Sequence, residues 1–316
     1  MSWKCDNIEW LDIELTSFCN ISCSGCFRTL SKYTDNILNK ELLSLDLIQK
    51  RFRKELFPSI RIVNFCGSVD EPCSHPEFFG IIEHFHDWGH INIATNGSLR
   101  TPSWWERLAK ALPPSHQVTF GIDGTDETSE IYRRGSSFKK VEQNYKAFIA
   151  AGGRATWQFI VFEHNEHQHE EAKQKAEAEG FINFKTIYSH RKDLKTNTGV
   201  AKHVKKKIEQ TPTIECKYLK QQRIFINHNG NVIPCCHLNS EMLEWNVGRD
   251  NITRFGEIVN QNMGVMATNL EYNDIDEIIE GDFFQDIVDS WPGLEIPKCV
   301  STCKKKNHDT FIKEKL

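Results

Sequence analysis

Eleven cysteines stand in this 316-residue chain, and most fall into two groups. Cys19, Cys23 and Cys26 follow one another closely in LTSFCNISCSGCFRT; Cys216, Cys235, Cys236, Cys299 and Cys303 gather near the end. Thiolates grouped this tightly select zinc or an iron–sulfur cluster. A disulfide framework suits a short secreted chain, and the odd count fits it poorly. On a regular helix, Cys19 and Cys26 would stand about 10 Å apart along the axis, awkward for ligands of one compact centre. Asn20, Ser22, Ser24 and Gly25 are weak helix formers, so a loop wrapped around the metal is expected. Structural zinc takes four protein ligands and a four-iron cluster has four corners. The triplet has no evident fourth thiol beside it, which leaves one corner open to a ligand that is not protein. An open corner is a place for reaction.

In the second group, RIFINHNGNVIPCC (223–236) reads as an apolar strand, an Asn-Gly turn and a second strand that ends on thiols. With Cys216 before it and Cys299 and Cys303 after it, this hairpin predicts a metal knuckle with all four corners filled by Cys216, Cys235, Cys299 and Cys303. A four-cysteine zinc site is the competing reading. The remaining thiols, Cys5, Cys66, Cys73 and Cys236, are expected to be small buried hydrophobes. His164, His167 and His169 open a strongly polar helix and are expected to face solvent. Trp104 and Trp105 are expected to pack in the core.

The elements that must position these residues alternate. The runs 8–15, 60–67, 90–97, 116–123, 154–162 and 182–189 are short, rich in Ile, Val and Phe, and read as strands. Between them, 45–56, 78–88, 102–112, 138–153 and 165–180 read as helices. Six strands alternating with helices predict an α/β fold: a parallel sheet with right-handed crossovers, closed or nearly closed into a barrel. Chemistry in such a sheet gathers at the C-terminal ends of the strands. The cysteine triplet follows the first strand directly and so belongs on that rim. The polar, basic stretch 190–213 reads as a linker or loop. Residues 1–210 are therefore expected to form the barrel and 211–316 a smaller hairpin-plus-helix domain. The acidic stretch 271–291 is expected to pack there as one helix or two.

Composition sets outer limits. The formal net charge of -4 offers no basic field for nucleic acid. No apolar run reaches membrane-spanning length, and MSWKCDNIEW has no apolar signal core. A cytoplasmic protein without a membrane or nucleic-acid partner is expected.

The triplet Cys19-x3-Cys23-x2-Cys26 after a first strand resembles the signature of the radical S-adenosylmethionine (SAM) superfamily. That resemblance implies a 4Fe-4S cluster on the three cysteines, with its open iron chelating the amino and carboxylate groups of SAM. Reductive cleavage then gives a 5′-deoxyadenosyl radical that abstracts a substrate hydrogen atom. Where the family often has an aromatic residue beside adenine this chain has Gly25, and Phe27 is the substitute. NFCGSVDEPCSHP (64–76) resembles the Gly-rich segment that binds the methionyl amino group, through Gly67, Glu71 and Pro72, with Asp70 where a glycine is common. ATNGS (94–98) resembles the segment near the ribose and implies Asn96 and Ser98. FGIDGTDETSEIYRRGSSF (120–138) resembles the run of the subfamily with C-terminal cluster domains. It implies roles for Asp123 and for Arg133 or Arg134, an arginine pairing with the cofactor carboxylate as a charge-assisted fork. Taken alone, Asn96-Gly97 and Asp123-Gly124 are turns; their joint order at successive strand ends carries the resemblance.

The C-terminal spacing resembles the SPASM and twitch auxiliary-cluster domains. It implies a partial (β/α)6 radical SAM barrel followed by a twitch-like domain with a second, auxiliary 4Fe-4S cluster. The Gly-x4-Cys spacing favours Cys235 over Cys236 as ligand. Two reactions follow from the resemblance. One oxidises or rearranges an amino-sugar- or cyclitol-like small molecule, with the auxiliary cluster as electron acceptor; the other modifies a peptide or protein side chain. Because the triplet begins at residue 19, no room is expected for a peptide-recognition domain ahead of the barrel, which favours a small molecule or a substrate delivered by a partner. An external one-electron reductant of flavodoxin or ferredoxin type is implied. A non-enzymatic electron-transfer or zinc-binding protein is the alternative from another class. Glu14 and Glu163, near strand ends, are candidate proton acceptors.

Overall fold

The computed structural model describes residues 2–30, 41–188, 213–248, 253–262, 264–303 and 311–315. Strands β1 (Trp10–Ile13), β2 (Ile62–Phe65), β3 (His90–Thr95), β4 (Gln117–Gly121), β5 (Ala155–Val161) and β6 (Asn183–Tyr188) are parallel and adjacent in chain order. Each falls inside a run read as a strand. Among the described residues the sheet does not close on itself. Strand β7 (Arg223–Ile226) runs parallel along β1, and β8 (Val232–Ile233) pairs antiparallel with β7 at the outer edge. Strand β9 (Phe311–Lys315) lies antiparallel against β6 at the other edge. The cluster hairpin thus continues the barrel sheet, an addition that no sequence pattern announced.

Alternation gives the sheet two unlike faces. Leu11, Ile13, Val63, Phe65, Ile91, Ile93, Val118, Phe120, Trp157 and Phe159 join one apolar core. The residues between them are polar and bond across the strands. The Asn64 amide donates to Asp12 Oδ1 at 2.8 Å, and the Asn92 amide donates to Asn64 Oδ1 at 2.5 Å. Thr119 Oγ1 and Gln117 Nε2 donate to Asn92 Oδ1 at 2.8 and 3.2 Å. Register places Asp12 opposite Asn64, Asn64 opposite Asn92, and Asn92 opposite Gln117. Buried amides are tolerated there because each finds a partner on the next strand.

The helical readings hold with shifts at the ends. The first is Leu45–Arg51 instead of 45–56, capped by Ser44 Oγ on the Leu47 N–H. It stops because Phe52 turns extended and buries its ring edge-on against Phe85 at 5.6 Å. Helix Thr128–Tyr132, absent from the sequence reading, sits inside the segment read as a cofactor motif. The acidic stretch makes two helices, Ile275–Glu280 with an Asp274/Glu277 capping box and Asp282–Asp289, which bury Ile278, Ile279, Phe283 and Phe284. His169 departs from expectation: its Nε2 bonds Thr186 Oγ1 at 2.9 Å and its ring packs on Phe159 and Phe184, so it closes the outer layer instead of facing solvent. The stretch 190–213, apart from residue 213, and the expected division at 210/211 lie outside the described residues. No helix among the described residues is long and apolar enough to cross a membrane.

Trp105, on helix Pro102–Ala111, fixes that helix to the sheet. It is fully buried, packs on Phe120 at 5.1 Å and Phe148 at 6.2 Å, and donates its indole N–H to Leu99 O at 3.1 Å. Trp105→Ala should cost about 3–5 kcal/mol, read as a lowered denaturant midpoint. A loss under about 1 kcal/mol would show that the helix does not depend on this wedge.

Candidate cofactor and cluster sites

From Glu14 to Gly25 the chain forms a loop without regular helix, as the weak helix formers implied. The loop is pinned by backbone bonds to neighbouring rim segments. Ser22 N–H donates to Arg134 O at 2.8 Å, Ser24 N–H to Tyr132 O at 3.2 Å, and Glu71 N–H to Phe18 O at 2.7 Å. Cys19, Cys23 and Cys26 are half-buried on it. Burial pushes the Cys19 and Cys23 thiols up to about 12 and about 11. Ionised thiolates there require a compensating cation, which a metal cluster supplies. Cys66 and Cys73, next in sequence, turn elsewhere: Cys66 to the Asn64 amide at 2.6 Å, and Cys73 to Thr95 and Glu71.

Asn96 and Ser98 reach this loop directly. The Asn96 amide donates to Asn20 Oδ1 at 3.0 Å and lies 3.7 Å from Cys19 Sγ. The Asn20 amide donates to Ser98 Oγ at 2.8 Å, and Ser98 Oγ donates to Asn96 Oδ1 at 2.7 Å. Glu71 is buried and already engaged. It accepts from Thr95 Oγ1 at 2.6 Å, Asn96 N–H at 2.7 Å and Cys73 N–H at 3.3 Å, and so braces the ends of β2 and β3. Gly67 lets the Glu14 and Asp70 carboxylates approach its Cα; a Cβ there would overlap both. Asp70 accepts from Leu15 N–H at 3.1 Å through Oδ2, while its buried Oδ1 has no hydrogen-bond partner among the described residues. Burial, then Glu14 and Glu71, push its pKa well above the usual carboxylate range.

Asp123 and Arg133 are both buried and paired, Nε to Oδ2 at 2.8 Å. Asp123 Oδ1 also accepts from Ile160 N–H at 2.7 Å. Gly121 admits the guanidinium, which comes within 2.8 Å of where its Cβ would be. Arg133 is thus committed to the protein, and its neighbour Arg134 keeps an exposed side chain on the same turn. Phe27 packs against the buried pair Val69 and Leu243. Glu163 is exposed on the rim.

No sequence pattern announces the seam between the two cysteine groups. Glu14, fully buried, accepts from Ser68 N–H at 2.5 Å, Ser68 Oγ at 3.0 Å and Val69 N–H at 3.1 Å through Oε2. Its Oε1 meets His228 Nδ1 at 2.6 Å and accepts from the Asn239 amide at 3.4 Å. Burial pushes Glu14 up, but the His228 hydrogen bond and charge and the two backbone N–H groups outweigh it, and the net shift is downward. The same Asn239 amide donates to Ser68 Oγ at 2.6 Å. Only buried polar residues at strand ends hint at such a seam, and pairing across 214 positions cannot be read from one sequence.

In the C-terminal region Cys216, Cys235, Cys299 and Cys303 line one cavity with apolar Ile214, Pro234 and Ile287. Hydrogen bonding between Cys216 and Cys303, with burial, pushes Cys216 upward; burial pushes Cys299 up to about 12. Cys236 turns away, with its Sγ 3.0 Å from Tyr218 OH. Tyr218 OH also donates to Asp12 Oδ2 at 3.0 Å, and Arg223 binds that oxygen at 2.5 Å. Cys66 stands in a polar cluster around Asp12, and Cys236 borders that cluster through Tyr218 while packing against the apolar core; Cys5 and Cys73 lie in the core. Among the described residues, no three His, Cys, Asp or Glu side chains converge closely enough for a single metal ion.

Residues 13–175 match the Radical SAM superfamily, and residues 216–305 match the SPASM family, described as an iron-sulfur cluster-binding domain. A curated relative, the tungsten-containing aldehyde ferredoxin oxidoreductase cofactor-modifying protein of Pyrococcus furiosus, is 29% identical over 104 residues, covering 33% of this chain and 28% of that protein. The chain therefore spans little more than a quarter of that relative. SuiB of Streptococcus suis, in a structure bound to its precursor peptide SuiA, aligns with a TM-score of 0.59 at 13% identity, covering 89% of this chain and 67% of SuiB. A second structure of SuiB aligns with a TM-score of 0.54 at 14% identity, covering 74% of this chain and 61% of that one. The protein anSMEcpe with bound S-adenosylmethionine aligns with a TM-score of 0.57 at 15% identity, covering 95% of this chain and 92% of that one. At such identities the likeness speaks for the fold. The family match covers more than half of the chain and includes the rim loop of three cysteines: this chain belongs to the radical SAM superfamily and carries a C-terminal iron–sulfur cluster-binding region.

Proposed function

We propose that this enzyme takes a hydrogen atom from a hydrophilic small molecule of the amino-sugar or cyclitol type and oxidises or rearranges it. The observation that carries the reading is the triplet on a pinned loop at the strand-end rim, with Cys66 and Cys73 turned away from it. When bound, the clusters and SAM supply an electron, a 5′-deoxyadenosyl radical and, at the auxiliary site, an acceptor for the electron released on oxidation.

The residues fit those groups. Cys19, Cys23 and Cys26 would hold the reactive cluster; Cys216, Cys235, Cys299 and Cys303 would hold the auxiliary one. Asp70 Oδ1, buried and without a partner among the described residues, is the acceptor that a methionyl ammonium needs. Arg134, with its exposed side chain, is the better placed of the two arginines for the carboxylate, because Arg133 neutralises Asp123. Asn96 and Ser98 would orient the ribose beside Cys19. Gly67 gives the loop its close packing, and Phe27 shields its auxiliary-domain side. The polar ladder from Asp12 to Thr119 gives the sheet a polar lining on this face, which supports a hydrophilic substrate.

A peptide substrate is the second reading. SuiB has been captured with a precursor peptide, and anSMEcpe with the Cp18Cys peptide, at TM-scores of 0.59 and 0.54.

Anaerobic reconstitution should load about eight irons per chain as two four-iron clusters. Cys23→Ala should lose about half of that iron and all release of 5′-deoxyadenosine from SAM. Iron content unchanged by Cys23→Ala would sink the assignment. Substrate class is read by isotope: deuterium carried on cyclitol or amino-sugar carbons should appear in 5′-deoxyadenosine. Transfer from a deuterated peptide alone would establish the second reading.

A further inference from the structure

Asn239 belongs to the same turn as Cys235. Leu238 N–H bonds Cys235 O at 3.2 Å, Asn239 N–H bonds Cys236 O at 3.3 Å, and helix Asn239–Asn246 begins there. Its side chain crosses to the barrel. The amide nitrogen is 2.6 Å from Ser68 Oγ, and Oδ1 accepts from the Asn227 amide at 3.0 Å. Ser68 is bound to Glu14 by both its N–H and its hydroxyl, and its carbonyl lies 3.6 Å from Cys26 Sγ. The links from Cys235 to Cys26 thus run through one turn, one side-chain hydrogen bond and one residue. Beside them, His228 of the β7–β8 turn holds Glu14 Oε1, and Leu243 of the same helix packs on Val69.

We propose that Asn239 is a positioning residue through which the auxiliary cluster domain sets the SAM site: filling the auxiliary site fixes the Cys235 turn, Asn239 then holds Ser68, and Ser68 holds the loop edge facing Cys26. This rests on the reading of the two cysteine sets as cluster ligands given above. The loop edge from Gly67 to Glu71 is where the methionyl end of SAM would dock. A shift of Ser68 by a few tenths of an ångström changes both that dock and the surroundings of the Cys26 sulfur. Coupling of this kind is reciprocal, so SAM binding should also tighten the auxiliary region.

The test uses the full chain with both clusters and reads two quantities besides turnover. They are the dissociation constant of SAM and the electron paramagnetic resonance spectrum of the reduced N-terminal cluster with and without SAM. Asn239→Ala should weaken SAM binding about fivefold or more and move the N-terminal cluster's g values, with auxiliary iron retained. Ser68→Ala removes the same bond from the other side and should act alike. The double variant should be no worse than either single one, because both remove one interaction. Cys299→Ala with Cys303→Ala, which empties the auxiliary site, should weaken SAM binding in the wild-type background and add nothing to Asn239→Ala. Unchanged SAM affinity and spectra in Asn239→Ala, or losses that simply multiply in the combined variants, would overturn the coupling and leave the enzyme reading intact. A wild-type chain that binds no SAM would overturn both.

Discussion

A single buried carboxylate holds the cysteine loop, the Gly-rich loop and the auxiliary hairpin to one another. Glu14 leaves the end of β1 with no exposure to water and takes hydrogen bonds from Ser68, Val69, His228 and Asn239. Burying a charge costs several kcal/mol unless nearly every lone pair is met. Here the donors come from three separate pieces of chain. Each must arrive for the others to be worth having, so the carboxylate ties the rim to the hairpin more firmly than shape alone would. The backbone of the same residue continues the ladder to β7, Glu14 N–H donating to Ile226 O at 2.8 Å.

Much of this was legible because it is local. Strand runs of Ile, Val and Phe bounded by turn residues located β1 to β6, and the Asn-Gly turn located the β7–β8 hairpin. The triplet on a loop after the first strand followed from weak helix formers and sulfur chemistry. What escaped was either phase or distance. A reading of 8–15 as a strand did not say that Asp12 and Glu14 face away from the apolar core, because which face of a strand is buried depends on what packs against it. His169 looked like the start of a solvated helix, yet its ring seals β5 and β6, which depends on tertiary neighbours. Arg133 and Arg134 were equivalent in sequence; only the buried Asp123, ten positions earlier, takes one of them out of reach. Cys235 and Cys236 were not equivalent: the Gly-x4-Cys spacing favoured Cys235, which lines the cavity with Cys216, Cys299 and Cys303, while Cys236 turns to Tyr218.

The polar inner face of the sheet bears on the chemistry as well as on stability. On the proposed reading, a carbon-centred radical is generated at the rim of this face. Amide N–H and hydroxyl O–H bonds are stronger than aliphatic C–H bonds, so a surface of Asn64, Asn92, Gln117 and Thr119 offers such a radical fewer favourable targets than one of Leu and Ile. The apolar side chains of the same strands are turned to the helices and buried in the core. Strand alternation therefore does two jobs with one pattern: it supplies the hydrophobic layer that folds the sheet, and it keeps that layer's weaker C–H bonds on the far side. The thiols of Cys66 and Cys236 are the exceptions on the inner side, since S–H is weaker still. Both are drawn into hydrogen bonds around Asp12, whose carboxylate is in turn held by Arg223 and Tyr218. Those bonds engage both thiols with protein groups, so neither S–H stands free on the polar face.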